Sequence, residues 1–527
     1  MNQFDPSNTD SSPEAVSRRR FMGGAAAASL GIPLLGARAE AQTVAAPKRG
    51  GTLRLGMTGG GSTDSMDPAR ANAAISAVNM LLVYNCLVEL DREPKKTMPE
   101  LAESWEAKPG AKEWVFKLRS GIEFHNGKTL DADDVVYSLR RHIGPKTTSL
   151  SAGFFVNVVD VKSDGPNTVV VTLRDGDANF PKIVSFYGFA AVPKDFTDWA
   201  HPIGTGPYIL KTFQPGSRFT ATRNPNYWKP NRAWFDEVEI SVIDDSTARI
   251  NALITGRIDA MNRVDRRTLR LLTGTTGVRA VRSPGGLHYT MCMDCRLPEF
   301  ANNDVRMALK YAVDREQFLH TILQGNGKLG NDHPLPPTDP DFNSSLPQRV
   351  YDPDKAKFHL KKAGMDTLTV ALSESGAAFA EADDTAALFA ESAKKAGIVV
   401  TPVREPSDGY FANVWMKRPF FMSYASGEAN TMTTFETFYG SASAQNECYY
   451  KNDKVDMLIR EARPELDPKR RQELLWELQA VLRDDSGRMV PVFADFLDAI
   501  GPRLRGVEPN GNRELDGQRL PERAWFA

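Results

Sequence analysis

One segment in the second half constrains the fold more than any other. Residues 368–372 (LTVAL) are an apolar run of strand length, 384–396 carry a helical pattern, and 398–403 (IVVTPV) are again rich in β-branched residues. Strand, helix and strand at that spacing form a crossover unit, so the two strands lie parallel in one sheet. The chain is therefore of the α/β class. Its 527 residues exceed what one hydrophobic core fills, and 41% of them are apolar, so two or three lobes with large cores are expected.

Other elements follow from local patterns. Residues 51–57 alternate as a strand with Leu53, Leu55 and Met57 on one face, then enter the glycine-rich loop 58–68 (TGGGSTDSMDP). Such a loop lets backbone approach a ligand closely, or simply connects two elements. A helix over 75–86 follows. Strands are expected at 113–118, 122–124, 167–173, 219–223 and 235–243, and a helix from Thr247 stops at Gly256. Further on, helices occupy 305–313, a stretch opened by Asp352-Pro353 and closed by Gly364, and a late stretch with Leu474, Leu475, Leu478, Val481 and Leu482 on one side. A strand over 489–493 comes after them, and no internal repeat is visible.

Several chemistries are excluded. Gly127-Lys128-Thr129 ends like a phosphate loop, but position 122 is Ile where a glycine is needed, and an acidic helix start follows. Asn126-Gly127 is instead a tight turn, and Asp131 with Asp134 caps the next helix. With 65 Lys+Arg against 66 Asp+Glu, the chain has no basic excess for nucleic acid. Cys292 and Cys295 have C-x-x-C spacing, but no second pair and only His288 lie near, so metal is not expected. A strand points them to opposite faces, leaving buried thiols or one disulfide as the readings. Seven histidines show no zinc-ligand pairing and no G-x-S-x-G occurs; Ser392 and Lys395 match S-x-x-K without its companion motifs. No cofactor is expected. An enzyme remains one functional class to weigh against a non-catalytic protein.

The first forty residues read as an export signal. Ser17-Arg18-Arg19-Arg20-Phe21-Met22 is a twin-arginine pattern, residues 23–37 are weakly apolar, and Ala39-Glu40-Ala41 suits cleavage before Gln42, with Ala37-Arg38-Ala39 as a second site. No cysteine sits near the cut for a lipid anchor, and no later run reaches the length of a membrane span. The expectation is a soluble periplasmic protein, residues 1–41 being removed.

Several stretches in order resemble the family 5 extracellular solute-binding proteins, the large peptide-, oligopeptide- and nickel-binding receptors of ATP-binding-cassette importers. They are PELAESW (99–105), FKLRSGIEFH (116–125), LDADDVVYS (130–138), GTGPY (204–208), RNPNYW (223–228), VRMALKYAVDR (305–315) and YDPDKA (351–356). The resemblance implies a bilobal periplasmic-binding-protein fold of type II, in the large cluster with an extra subdomain, its two lobes joined by a hinge. Lobe 1 would comprise 43–285 with 487–527, including the subdomain near 70–190, and lobe 2 would comprise 286–486. It implies a peptide or other small solute as ligand and an inner-membrane ABC permease as partner; the twin-arginine pattern adds the Tat machinery, the neutral charge balance argues against nucleic acid, and a monomer is expected.

For the site, the loop offers Ser62 and Asp64, and the second lobe offers Asp383, Tyr410, Trp415, Tyr424, Ser426, Glu428 and Asn430. Dipeptide-binding members meet the ligand carboxylate with an Arg where this chain has Asp383-Asp384, and meet its ammonium with an acid that Glu428 would keep. A basic end replaced by acid disfavours a free dipeptide and favours a cationic, polyhydroxylated or longer peptide ligand. Asp383 and Asp384 equally suit compensation of a helix dipole, Glu428 a solvated loop, and the aromatics a core.

Overall fold

The computed structural model describes residues 46–71, 73–93, 96–425 and 430–527; the stretch 1–41 expected to be an export signal, Ser426 and Glu428 lie outside the described residues. Two large sheets organise the chain. The first has seven strands in the order Arg279–Ser283, Phe496–Ile500, Ala260–Met261, Thr52–Met57, Glu237–Val242, Arg218–Arg223, Tyr208–Gln214. Thr52–Met57 runs parallel to both its neighbours, and the remaining pairs are antiparallel. The second has six, in the order Gly327–Leu329, Arg488–Ala494, His288–Met293, Phe420–Ala425, Leu368–Glu374, Ile398–Arg404.

The crossover unit is present in that second sheet. Leu368 pairs with Ile398 and Glu374 with Arg404 in parallel register, and the helix Ala382–Lys394 connects them. Gly397, at φ 77°, supplies the left-handed residue that turns the helix into the second strand. A third, four-stranded antiparallel sheet is built from Ala102–Ala107, Glu113–Leu118, Thr168–Leu173 and Val158–Ser163. Each large sheet and this smaller one has its own apolar cluster, so burial is divided among separate cores.

Local expectations meet the structure with a few differences. The Asn126-Gly127 turn closes with Phe124 N–H donating to Lys128 O at 2.8 Å, and Asp131 and Asp134 form a reciprocal cap on the helix Ala132–Arg140. Lys128 bridges to the Asp134 carboxylate, so its role is in the turn. The helix expected over 75–86 spans Ala74–Val83 instead. Two glycines pack onto its end: a Cβ on Gly204 would lie 2.0 Å from Val83 O, and one on Gly206 2.4 Å from Val83 C. Tyr84 leaves the helix and donates its hydroxyl to Met66 O at 2.8 Å. All four cysteines are free, and Cys292 Sγ lies 3.3 Å from a Glu447 carboxylate oxygen rather than against Cys295.

The chain passes between the large sheets twice. Residues 284–287 separate Arg279–Ser283 from His288–Met293, and Asp495 alone separates Arg488–Ala494 from Phe496–Ile500. These two short crossings are the geometry of a hinge, and the fold is the bilobal type II periplasmic-binding-protein fold.

Candidate functional site

A cavity of about 700 Å³ lies where the two sheets face one another, and its walls come from both. From the first sheet come Thr58 and Gly59 after Thr52–Met57, and Arg263 to Arg266 after Ala260–Met261. From the second come Leu287 and Tyr289, the segment Ala377 to Glu381 before the crossover helix, and Tyr424. The crossing residue Asp495, Ser246, Leu497 and the late residues Arg513, Glu514 and Gln518 also line it.

The loop after Thr52–Met57 is anchored by Asp244. Its carboxylate accepts from Thr58 Oγ1 at 2.8 Å and from Gly59 N–H at 3.2 Å, and these bonds hold its pKa below the ordinary aspartate value. Gly60 has no room for a side chain, since a Cβ there would sit 2.6 Å from Val242 Cγ2. Buried Arg249 ties the same region to the Arg263 loop, donating to Ile243 O, Asp244 O and Arg263 O at 2.6, 2.9 and 3.3 Å.

Arg266 bridges the two walls. Its guanidinium donates to Tyr289 Oη at 3.3 Å, Glu381 Oε1 at 3.3 Å and the Asp495 carbonyl at 3.2 Å. Tyr289 in turn donates to Glu381 Oε2 at 3.4 Å and stacks on Phe379 at 4.0 Å between centroids. Burial pushes the Tyr289 hydroxyl up to about 12, so it stays a donor at physiological pH. Further out, Arg267 pairs with Asp384 at 3.2 Å with both groups exposed. Two ion pairs thus join the region after Ala260–Met261 to the start of the crossover helix.

Residues 513–518 reach the cavity through an unusual backbone. Leu515, Asp516 and Gln518 have φ of 51°, 55° and 66°, and Gly517 69°. Left-handed non-glycine residues cost on the order of 1–3 kcal/mol each unless their surroundings hold them. Here Leu515 N–H donates to buried Asp498 at 2.6 Å, and Asp516 accepts from Arg92 Nε at 2.9 Å and Arg523 Nη1 at 2.8 Å. Burial, reinforced by Glu514, raises the Asp498 carboxyl well above the usual aspartate range.

The residues singled out from sequence are scattered. Tyr424 lines the cavity and is 43% exposed. Ser62 and Asp64 belong to the loop whose Thr58 and Gly59 line it, but Asp64 closes a local turn by accepting from Gly61 N–H at 2.9 Å. Asp383 is exposed and accepts from Asp384 N–H, while Glu381 two residues earlier faces the cavity. Tyr410 is buried in the second core with its hydroxyl on Met422 O at 2.7 Å, and Trp415 donates to Glu447 at 2.7 Å. Asn430 caps the helix Thr431–Tyr439 through Met432 N–H at 2.9 Å. Sequence reasoning passed over Arg266, Tyr289, Glu381 and Arg513. Only the charge-dense run 513–523 (RELDGQRLPER) carried a signal for any of them.

Among the described residues no group of three or more His, Cys, Asp or Glu could hold a metal ion, and no helix is long and apolar enough to cross a membrane. The family model described as "Bacterial extracellular solute-binding proteins, family 5 Middle" matches residues 96–447. Dipeptide-binding protein from Escherichia coli is 24% identical over 92% of this chain and 98% of its own length. Heme-binding protein A from Haemophilus influenzae is 29% identical over 310 residues, 54% of this chain and 56% of that protein. Among solved structures, HbpA2 from Haemophilus parasuis superposes with a TM-score of 0.80 at 20% identity, covering 90% of this chain and 100% of that one.

Proposed function

Because this chain belongs to the bacterial extracellular solute-binding proteins of family 5, we propose that it captures one peptide or small polar solute between its two lobes and delivers it to an ABC permease in the inner membrane. The observation that carries this reading is the cavity of about 700 Å³ with walls from both large sheets, beside both crossings. That volume is in the range of small-molecule sites, roughly 300–1,000 Å³. A ligand touching both walls binds the closed arrangement better than the open one, which is the differential affinity that closure requires. Family membership supports a receptor and not the exported enzyme.

In this reading lobe 1 is 43–285 with 487–527, including the subdomain near 70–190, and lobe 2 is 286–486. The protein is exported by the Tat machinery, cut before Gln42, and works in the periplasm as a monomer. The relatives are named for different ligands, dipeptide in one case and heme in another. Asp384 and Glu381 pair with Arg267 and Arg266 of the facing wall. That supports reading the acidic start of the crossover helix as part of an interlobe contact, in place of a ligand clamp.

Mass spectrometry of solute released from natively purified protein, with X-ray scattering before and after adding that solute back, tests the proposal. A stoichiometric solute and a smaller radius of gyration on rebinding are expected. Protein that releases no solute, binds none from peptide, opine, polyamine and sugar pools, and scatters identically throughout would refute it.

A further inference from the structure

The charges around the cavity do not cancel in place. Arg266 is matched by Glu381 at 3.3 Å, and Arg263 by Glu514 at 3.3 Å. Asp495 is taken by Arg282, which stands outside the cavity. Asp265 is exposed and spends one carboxylate oxygen on Arg267 N–H at 2.8 Å, capping a short helical turn. That leaves Arg513, partly buried in the cavity wall. Among the described residues it is the one cavity-lining cation with no carboxylate partner. It is also held in place. The left-handed turn that follows it is fixed by Asp498, Arg92 and Arg523, and it shares its wall with buried Gln518.

A second observation points the same way. Two more donors lining this cavity, Ser246 Oγ and Arg266 Nε, are buried without a hydrogen-bond partner among the described residues. A buried donor left unmatched costs about 1–3 kcal/mol until something accepts from it. Among the described residues the cavity therefore presents surplus donors and, at Arg513, a positive charge without a carboxylate partner, while the one lining carboxylate without a cation, Asp265, is exposed and engaged in capping. Much of the remaining lining is apolar: Ala377, Ala378 and Ala380, with the Phe379–Tyr289 stack, Leu287 and Leu497.

Resting on the capture function proposed above, we infer that the solute is an amphiphilic anion. Its carboxylate, or a comparable acidic group, is received by Arg513, and its apolar body lies against the Phe379–Tyr289 wall. This reverses the cationic ligand expected from Asp383 and Asp384, because Glu381 and Asp384 are already answered by Arg266 and Arg267, and exposed Asp383 is not part of the cavity lining. Arg513 is then the residue that sets specificity for charge.

The test uses matched pairs differing only in that charge: Ala-Phe and its C-terminal amide, N-acetylphenylalanine and its amide, and indole-3-propionate and its amide. Spermidine and glucose serve as cationic and neutral controls. Binding is measured by calorimetry on the mature wild-type chain, Arg513→Gln and Arg513→Lys. In the wild type at least one acid is expected to bind about 10-fold or more tighter than its amide, the worth of one charge-assisted hydrogen bond in a low-dielectric site. Arg513→Gln should erase that ratio while leaving amide affinity unchanged, and Arg513→Lys should keep part of it. Since the Arg513 side chain supports no other described group, both variants should fold, with melting temperatures near the wild type. Equal binding of acid and amide, or a ratio that survives in Arg513→Gln, overturns the inference. Binding of spermidine or glucose alone, or release of a solute without an acidic group from native protein, also overturns it while leaving capture intact. If no probe binds and native protein releases nothing, the capture function falls as well.

Discussion

Replacing Lys229 with Met should expose how the late segment of the chain is held. Lys229 is 10% exposed at its side chain and contacts three carboxylates, Glu89 at 2.6 Å, Glu100 at 2.7 Å and Glu522 at 3.2 Å. Arg519 shares Glu100 and Glu522, both at 2.9 Å, and Arg523 joins Glu89 to Asp516. The cluster thereby ties residues 516–523 to the segment 89–100, and Asp516 anchors the turn behind Arg513. In Lys229→Met the three buried carboxylates keep Arg519 and Arg523 as their buried partners, with partly exposed Arg232 only 3.8 Å from Glu522 at the edge, and they lose the lysine that touches all three. Breaking a buried ionic group by removing one partner costs roughly 3–5 kcal/mol. Urea unfolding followed by tryptophan fluorescence would read that loss directly, with Lys229→Arg as the variant that keeps the charge.

The pH dependence makes this prediction sharper. Burial pushes Glu89 and Glu522 up, but Arg519, Lys229 and Arg523 outweigh it for Glu89, as Lys229, Arg519 and Arg523 do for Glu522, so both lie below the ordinary glutamate value. A carboxylate with a depressed folded pKa contributes stability above its unfolded value, near 4.5, and loses it as pH falls through the folded value. Without Lys229 one of the three should instead take up a proton in the folded protein. The penalty of the variant should then shrink between pH 7.5 and 5, by up to about 1.4 kcal/mol per unit once that proton is bound. A penalty below about 1 kcal/mol at pH 7.5, or one that does not change with pH, would refute the reasoning, because a buried pair of this kind cannot lose a partner so cheaply.

Three further outcomes are expected. Burial pulls His125 down to about 4 and His142 and His333 to about 3, so all three are neutral when folded and protonate on unfolding below pH 6.5. Stability should therefore fall as pH drops from 6.5 towards 4, by up to about 1.4 kcal/mol per unit for each group; His142→Gln should flatten the melting temperature profile, and an unchanged slope would refute the assignment. Gly206→Ala places a Cβ 2.4 Å from the Val83 backbone and should cost about 3 kcal/mol or more, read as a large drop in unfolding midpoint; a near-wild-type midpoint would show that the contact relaxes freely. Glu381→Gln removes the carboxylate that Arg266 reaches from the facing wall, so the ligand-free protein should populate a more open arrangement with a larger radius of gyration; unchanged scattering would show that this pair does not hold the lobes.

What the sequence determined by itself was the short-range part of the fold. The reciprocal cap at Asp131 and Asp134, the Asn126-Gly127 turn, the helix stop at Gly364 and the parallel strands around the crossover helix all depend on neighbours within a few residues or on one repeating period. Such features are written in consecutive letters. The helix that ends at Val83 shows where this stops, because its end depends on glycines about 120 residues later whose backbone packs onto it. The cavity belongs wholly to that second kind. Arg266 and Glu381 meet across 115 positions, and Arg513 is a candidate for the ligand only because every other cation near it is answered from somewhere else in the chain. Aromatic residues such as Tyr410 and Tyr424 look alike in sequence, and only packing sent one into the core and the other to the cavity. Whether a charge is spent or available is a property of its three-dimensional neighbours, since Coulomb and hydrogen-bond energies depend on distance in space and take no account of distance along the chain.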